Sequence, residues 1–412
     1  MIVRLLVILG ALVVVVSSAP AQVRLKPDTT HPARAAVDTV LSGAVTRGEI
    51  PGIVALATTR TGVIYQGAFG VADLPSRRPL QSDSIFRIAS MTKPITSVAL
   101  MQLIEAGRLR LDDPASKYFP ELDDIKVFER FDARTGAYTL RPAKATMTVR
   151  HLLTHTAGFG YDFTNPIVRD LKLDRFAPGP LVFEPGEQWL YGSSSTWAGR
   201  LVEMLSAQSL EVYFRERIFA PLGMRDTFYN VPDDKRARVV TVHRRTGDAA
   251  FTVEAVQPPF TVARPIGDGG LSSTAADYSR FLRMLLNGGA LDGARVLASD
   301  TVALMGQNHI GAISVPALKS AMPDRSADWN TLVNGGRDKW GLGFLIATAP
   351  PRGKRSPGSL SWGGINNTYF WVDQARGVAG VVLMQFLPFA DERALAVHDA
   401  FERAIYRLAG SD

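Results

Sequence analysis

Hydrophobic and polar positions change their periodicity twice along the chain. Residues 52–59 are apolar and β-branched, residues 60–62 have turn character, and residues 63–69 resume the apolar run. This pattern predicts a β-hairpin. From residue 95 the apolar side chains recur at helical spacing until Gly107, which predicts a helix that ends at this glycine.

The middle of the chain, residues 109–286, predicts helices joined by loops rich in proline and glycine. The helical repeats that stand out there are residues 148–154, 195–205 and 275–286. After residue 340 short β-rich runs return, and a helix closes the chain. These runs are residues 341–347, 359–362, 367–372 and 378–384, and the helix is residues 390–408.

Strands at both ends of the chain predict one antiparallel sheet, because antiparallel neighbours need no helical crossover between them. We therefore expect an α/β (α+β) fold, with an antiparallel sheet flanked by helices and a second, mostly helical lobe. The sheet lobe would comprise residues 35–86 and 335–412, and the helical lobe residues 87–334. A cleft between the two lobes is the expected place for a small-molecule site.

The first 21 residues have the composition of a secretory signal peptide. Arg4 precedes an apolar run over residues 5–16, and Ala19-Pro20-Ala21 fits a cleavage site. An uncleaved anchor is the alternative, but the run is shorter than the roughly 20 residues that span a bilayer. We expect a signal peptide at residues 1–21, a periplasmic or secreted domain at residues 22–412, and no membrane association after cleavage.

Composition excludes several classes of protein. The 412 residues are 46% hydrophobic and 21% charged, which is typical of a globular protein. The chain has no cysteine, so disulfides, thiol nucleophiles and cysteine metal sites are excluded. Its net charge of +7 forms no basic stripe with aromatics, which argues against nucleic-acid partners. H-E-x-x-H, G-x-S-x-G and P-loop motifs are also absent.

Ser90 and Lys93 form the strongest chemical pattern, S-x-x-K, at a transition from strand to helix. A serine hydroxyl is a weak nucleophile until a neighbouring group takes its proton. A lysine three residues later lies on the same helix face, and burial or nearby positive charge lowers its pKa. The helix start also favours developing negative charge at Ser90. The alternative is a helix-capping serine beside an exposed lysine.

With these motifs the chain resembles the penicillin-recognising serine hydrolases: class C β-lactamases, DD-peptidases and, most closely, the β-lactamase-like esterases of family VIII. Five stretches carry the resemblance in order: residues 86–93, 152–158, 221–224, 269–277 and 340–344. The resemblance implies a β-lactamase/transpeptidase-like fold and an acyl-enzyme on Ser90. It implies neither a metal nor an organic cofactor.

The family's second motif, Y-x-N, corresponds here to Tyr191-Gly192-Ser193. The resemblance implies that Tyr191 assists proton transfer, with Lys93 lowering the pKa of its phenol. Whether Lys93 or Tyr191 accepts the proton of Ser90 stays open, as does the alternative of a core tyrosine. Ser193 takes the place of an asparagine that contacts substrate, and it offers one hydroxyl instead of an amide.

The third motif, K-T-G or H-x-G on an edge strand, corresponds to Trp362-Gly363-Gly364. The glycines would let the substrate approach the strand. By analogy the backbone N–H groups of Ile365 and Ser90 would form the oxyanion hole. The alternative is a glycine bulge in a strand that carries a core tryptophan.

Trp362 also guides the choice of substrate. Relatives with lysine or histidine at this place hold a substrate carboxylate, and an indole cannot provide that charge. We therefore expect a small-molecule carboxylic ester first, and a β-lactam or a D-alanyl-D-alanine peptide second. An arginine elsewhere in the cleft is an alternative source of the charge. A non-catalytic ligand or peptidoglycan sensor is a further alternative, against which the presence of both Ser90 and Lys93 argues.

Overall fold

The computed structural model describes residues 32–410; the predicted signal peptide, residues 1–21, lies outside them. The strands are β1 (Gly52–Thr59), β2 (Val63–Asp73), β3 (Arg78–Pro79), β4 (Phe86–Arg87), β5 (Lys126–Phe131), β6 (Tyr138–Pro142), β7 (His243–Gly247), β8 (Ala250–Val253), β9 (Ser272–Ser273), β10 (Ala290–Leu291), β11 (Ala294–Arg295), β12 (Lys339–Trp340), β13 (Leu345–Ile346), β14 (Leu360–Gly364), β15 (Thr368–Asp373), β16 (Val378–Leu383) and β17 (Phe386–Leu387). The helices are α1 (Pro32–Thr46), α2 (Thr92–Glu105), α3 (Val149–Thr154), α4 (Pro166–Asp170), α5 (Ser194–Ser206), α6 (Leu210–Phe214), α7 (Ala220–Leu222), α8 (Ala275–Leu286), α9 (Ser299–Met305) and α10 (Glu392–Leu408).

The largest sheet has eight strands in the order β12-β13-β14-β15-β16-β1-β2-β3, and every neighbouring pair is antiparallel. β16 from the C-terminal part pairs with β1 from the N-terminal part, with Leu56 opposite Val381. The prediction of one antiparallel sheet built from both ends of the chain is confirmed.

Helices cover both faces of this sheet, which explains why β15 and β16 are buried along their whole length. On one face α10 packs against α1, and Trp371 of β15 contacts Phe401 of α10. On the opposite face α8 packs on β16 and β1, and Tyr278 contacts Phe370. Because Phe370 and Trp371 are adjacent on the strand, they point to opposite faces.

The remaining helices form the second region, in which α2 packs against α5. α2 is buried from Thr92 to Met101, so it has no solvent-facing polar stripe over these turns. Helix α8 has the bounds predicted from the sequence. Helix α1 was not predicted, and neither were the hairpins β5–β6 and β7–β8 that interrupt the predicted helical region.

Between residues 32 and 410, no helix is both long enough and apolar enough to cross a membrane.

Candidate active site

Ser90 lies in a single 3-10 turn, residues Ala89–Met91, directly before α2. The neighbouring segments fix this turn. Ile88 donates a backbone hydrogen bond to Leu271 O, and the hydroxyl of Tyr278 donates to Met91 O at 3.0 Å. Ala89 has a φ of 45°, a left-handed conformation that a non-glycine residue adopts at an energetic cost. The half-exposed Ser90 is therefore presented on a constrained turn at the start of a helix.

Lys93 lies in the first turn of α2 and is buried, with 1% of its surface exposed. Its Nζ lies 3.1 Å from Ser90 Oγ and donates a hydrogen bond to the backbone oxygen of Asp268 at 2.7 Å. Burial lowers the pKa of Lys93 to about 7; the Asp268 carboxylate opposes this shift and Arg175 adds to it. Near pH 7 a part of the Lys93 population is therefore an uncharged amine. The structure places this amine beside the serine hydroxyl.

Tyr191 lies in the loop before α5, also buried, and its ring packs against the Lys93 ammonium group, whose Nζ is 4.6 Å from the ring centroid. Burial raises the pKa of Tyr191 above its usual value, although hydrogen bonds from Ser90 and Trp362 act in the opposite direction. The expected lowering of the pKa of this phenol is not found, because burial disfavours the phenolate and outweighs the effects that lower the pKa. Lys93, with the lowered pKa, is the better proton acceptor for Ser90.

Trp362 belongs to β14 but is buried, and its Nε1–H donates a hydrogen bond to the Tyr191 hydroxyl at 3.2 Å. Its ring packs in a cluster of aromatic side chains: Trp189, Tyr191, Trp329 and Trp340. The expectation that Trp362 offers its indole to the substrate is therefore corrected. Its donor is occupied by Tyr191, only 2% of its surface is exposed, and it does not line the cavity that contains Ser90.

Gly364 and Ile365 lie where β14 meets the nucleophile turn. A Cβ at Gly364 would lie 2.2 Å from the backbone oxygen of Ile88, so only glycine permits this approach. Gly363 is similarly enclosed by Tyr369. Ile365 and Ser90 line the same cavity. The oxyanion hole of their two N–H groups stays a prediction.

β14 is an interior strand and not an edge strand, which corrects the expectation for the third motif. Its neighbour β13 pairs only with Leu360 and Ser361. Residues 362–364 extend beyond β13, so on this side they have no strand partner within residues 32–410. The motif therefore keeps a locally open edge although the strand lies within the sheet.

Ser193 is buried at the start of α5. It lines a small cavity of about 20 Å³ with Phe159 and Pro180, and this cavity adjoins the one at Ser90, with which it shares Gly160 and Arg175 in the lining. The expected contact between Ser193 and substrate stays a prediction.

The cavity at Ser90 has a volume of about 760 Å³ and a mixed lining. Apolar walls come from residues such as Phe163 and Ile266, and four cationic side chains contribute as well. The cations are Arg169, Lys172, Arg175 and Arg325. The sequence left open whether an arginine stands in the cleft, and the structure places three there. In the part of the chain that the structure describes, no group of three or more His, Asp or Glu side chains could hold a metal ion.

Asp268 is the site residue that the sequence did not identify. The sequence pattern suggests a turn for Asp268-Gly269-Gly270, yet the Asp268 side chain is fully buried and ion-paired with Arg175. It also accepts a hydrogen bond from the Tyr161 hydroxyl. The one available signal was its position directly before residues 269–277, one of the stretches that carry the family resemblance.

Comparison with known proteins identifies the family of this chain. A family model described as Beta-lactamase matches residues 37–404. The monacolin J acid methylbutanoyltransferase of Aspergillus terreus is 31% identical over 402 residues, covering 90% of this chain and 95% of that protein. The lovastatin esterase of Penicillium rubens is 30% identical over 397 residues, covering 90% and 98%.

Solved structures show the same architecture. The LovD6 mutant of simvastatin synthase from Aspergillus terreus matches with a TM-score of 0.79 and 29% identity, over 92% of this chain and 98% of that one. EstCE1, a hydrolase with promiscuous acyltransferase activity, matches in fold with a TM-score of 0.72 and 22% identity, over 90% and 98%. The α+β fold is thus β-lactamase/transpeptidase-like, and the chain belongs to the beta-lactamase family.

Proposed function

We propose that this protein is a serine hydrolase that cleaves small-molecule carboxylic esters through an acyl-enzyme on Ser90. The observation that carries the proposal is the buried Lys93 amine, 3.1 Å from Ser90 Oγ, with a pKa lowered to about 7. A nucleophile and a base within hydrogen-bond distance, with the base held by a third group, are the pattern of covalent catalysis. Here the third group is the backbone oxygen of Asp268.

In the acylation step neutral Lys93 takes the proton of Ser90 while Oγ bonds to the ester carbonyl carbon. One N–H of the amine is held by Asp268 O, and Nζ lies 3.1 Å from Ser90 Oγ, a distance at which the neutral amine can accept the Ser90 proton. The tetrahedral oxyanion then collapses, and the bond to the alcohol breaks. The leaving alkoxide receives a proton from Lys93, directly or through the Tyr191 hydroxyl, so that the alcohol departs neutral.

In the deacylation step a water molecule attacks the acyl-enzyme and gives a proton to neutral Lys93. Collapse of the second tetrahedral intermediate releases the carboxylic acid and returns the proton to Ser90 Oγ. Tyr191 supports both steps as a neutral hydrogen-bonding group, since its raised pKa keeps the phenol protonated. Ser90, Lys93 and Tyr191 thus act in both half-reactions.

An ester is favoured over a β-lactam because the third motif supplies no lysine or histidine at Trp362. The relatives named above include an esterase and an acyltransferase, which supports acyl-oxygen chemistry. β-Lactams and D-alanyl peptides are the second candidates, supported by Arg175 and Arg325 in the cavity lining.

Transfer of the acyl group to an alcohol instead of water is the variant of this activity that the comparisons favour. The Aspergillus terreus relative is named a methylbutanoyltransferase. The cavity of about 760 Å³ also leaves room for an acceptor beside a short acyl chain. Acceptor alcohols would then compete with water for one acyl-enzyme.

The test combines trapping with turnover. A fluorophosphonate probe should label the protein, and peptide mapping should place the label on Ser90. p-Nitrophenyl butyrate should be hydrolysed, and added small alcohols should divert part of the butyryl group to a new ester. Labelling at another serine would contradict the nucleophile, and nitrocefin turnover without ester turnover would favour the β-lactamase alternative.

A further inference from the structure

An ion pair with a buried carboxylate lies behind the amine of the proposed base. The Asp268 side chain is fully buried, while the Arg175 side chain is 41% exposed at the cavity. Asp268 Oδ2 accepts hydrogen bonds from both Arg175 and the Tyr161 hydroxyl. Its second oxygen, Oδ1, is buried without a hydrogen-bond partner among the described residues. A buried carboxylate oxygen without a partner is costly, so its retention calls for an explanation.

Asp268 contacts the base through its backbone as well. Its carbonyl oxygen is the acceptor 2.7 Å from Lys93 Nζ. Thr96, one turn further along α2, donates at 2.6 Å to the preceding carbonyl, that of Gly267. Two successive carbonyls of this segment thus hold the first turns of α2. The Asp268 carboxylate therefore sits on the peptide that places the lysine beside Ser90.

Several segments pack around Lys93, and each contributes a charged or titratable group. Ser90 lies on the same turn, and the rings of Tyr191 and Tyr161 lie 4.6 and 5.3 Å from Nζ. The other groups with an electrostatic effect are Asp268, Arg175 and the buried His155. Burial keeps His155 neutral by lowering its pKa. Asp268 and Arg175 are the full charges in this set, and they have opposite signs.

We infer that Asp268 is a positioning residue of the reaction: its backbone oxygen orients the Lys93 amine, and its carboxylate, partly neutralised by Arg175, determines how readily Lys93 gives up its proton. This inference rests on the proposed function, in which Lys93 is the base. The partial neutralisation is the essential feature. An unopposed carboxylate would hold the ammonium form, and a neutral residue would leave burial alone to act on the amine.

Asp268→Asn removes the charge with little other change. The amide oxygen can keep the hydrogen bonds from Tyr161 and Arg175, and the amide nitrogen can occupy the place of the unpartnered Oδ1. The backbone oxygen that holds Lys93 stays in place. Arg175→Gln removes the opposite charge at a partly exposed position. One variant therefore removes the negative charge of the ion pair, and the other removes its positive charge.

The experiment measures kcat/KM for p-nitrophenyl butyrate against pH, scaled to the plateau of each variant. In Asp268→Asn the ammonium form of Lys93 loses a favourable charge. The range over which kcat/KM rises with pH, the rising limb of the profile, should therefore move to lower pH by about one unit. In Arg175→Gln it loses a repulsive charge, and the limb should move to higher pH. A merely structural role of the pair would not shift the limb in opposite directions. Arg200→Gln, which removes a positive charge from the partly exposed pair with Glu121, is the control. Arg200 does not line the cavity at Ser90, so this variant should leave the limb within about 0.3 unit of wild type.

The protonation of the Lys93 amine can also be measured without any turnover of substrate. This measurement tests the inference independently of the proposed function. NMR of lysine labelled at the ε-carbon follows the Lys93 amine, with its signal assigned by its loss in Lys93→Arg. Opposite shifts of the Lys93 midpoint in Asp268→Asn and Arg175→Gln support the inference even if esters are not the substrates. Shifts in the same direction, or none, overturn it. If Asp268→Asn does not fold, Arg175→Gln alone decides: a midpoint that does not rise contradicts the inference.

Discussion

The indole N–H of Trp362 donates a hydrogen bond to the hydroxyl of Tyr191, 3.2 Å between Nε1 and the phenolic oxygen. This donor occupies one lone pair of the phenol and fixes the ring beside Lys93. Trp362 therefore acts on the reaction through Tyr191. Its position in the third family motif had instead predicted a residue that faces the substrate. The interaction has consequences that mutation can measure.

Trp362→Phe should lower kcat by about fivefold while KM changes little, since one buried hydrogen bond contributes about 1 kcal/mol. Trp371→Phe is the matched control. Trp371 is equally buried, its Nε1 has no partner among the described residues, and it packs on the other face of the sheet against α10. Steady-state kinetics with p-nitrophenyl butyrate and thermal melts of both variants check this. Equal loss of kcat in both variants would show that only general packing is involved.

Ser90→Ala should reduce ester turnover by several orders of magnitude and abolish labelling by a fluorophosphonate, because no other group forms the acyl-enzyme. Ser90 is half-exposed in its turn, so the far-UV circular dichroism spectrum should stay unchanged. A residual rate above about a tenth of wild type would remove Ser90 from the role of nucleophile.

The rate should rise with pH through the titration of Lys93. Burial lowers the pKa of this amine to about 7, and only the neutral form accepts the Ser90 proton. Below this pKa kcat/KM should therefore fall about tenfold per pH unit, and above it the rate should level off. A profile of p-nitrophenyl butyrate hydrolysis from pH 5 to 9 measures this. Lys93→Arg, which stays protonated, should be inactive throughout, and a flat wild-type profile would exclude Lys93 as the base.

The sheet could be predicted from sequence because its signals are local. Apolar runs rich in β-forming residues mark β1, β2, β15 and β16, and antiparallel pairing joins them without long crossovers. The bounds of α8 were also predicted, since its apolar face follows a clear helical repeat and Thr274 caps its start. In both cases the residues that decide the structure lie close together in the chain.

The unpredicted features depend on contacts between distant segments. Asp268 has the sequence context of a turn, and only the approach of Arg175 and Tyr161 makes it a buried ion-pair partner. Likewise, the sequence does not tell which way Trp362 turns on its strand. That is decided by the aromatic rings that enclose it, among them Trp340, whose ring centroid is 4.6 Å away.

We propose that the protein is exported and that its mature form begins at Gln22. Arg4, the apolar run over residues 5–16 and Ala19-Pro20-Ala21 predict cleavage after Ala21. This segment lies outside the described residues, so N-terminal sequencing of protein recovered from the periplasm or medium is the measurement. An intact Met1 in that protein would favour the membrane-anchor alternative.

The last prediction concerns the class of substrate. At the third motif the chain has Trp362, which is buried and uncharged, so a substrate carboxylate finds no cation there. Leaving a charge uncompensated costs several kcal/mol, and each 1.36 kcal/mol is about tenfold in rate. We expect kcat/KM for p-nitrophenyl butyrate to exceed that for nitrocefin by at least about 10²-fold, each scaled to its uncatalysed hydrolysis.

Trp362→Lys should not narrow this difference between the two substrates, because the ammonium would enter an aromatic cluster and break the hydrogen bond to Tyr191. Both activities should fall. A wild-type preference for nitrocefin would contradict the ester assignment, and Arg175→Gln and Arg325→Gln would then show which cavity arginine binds the carboxylate.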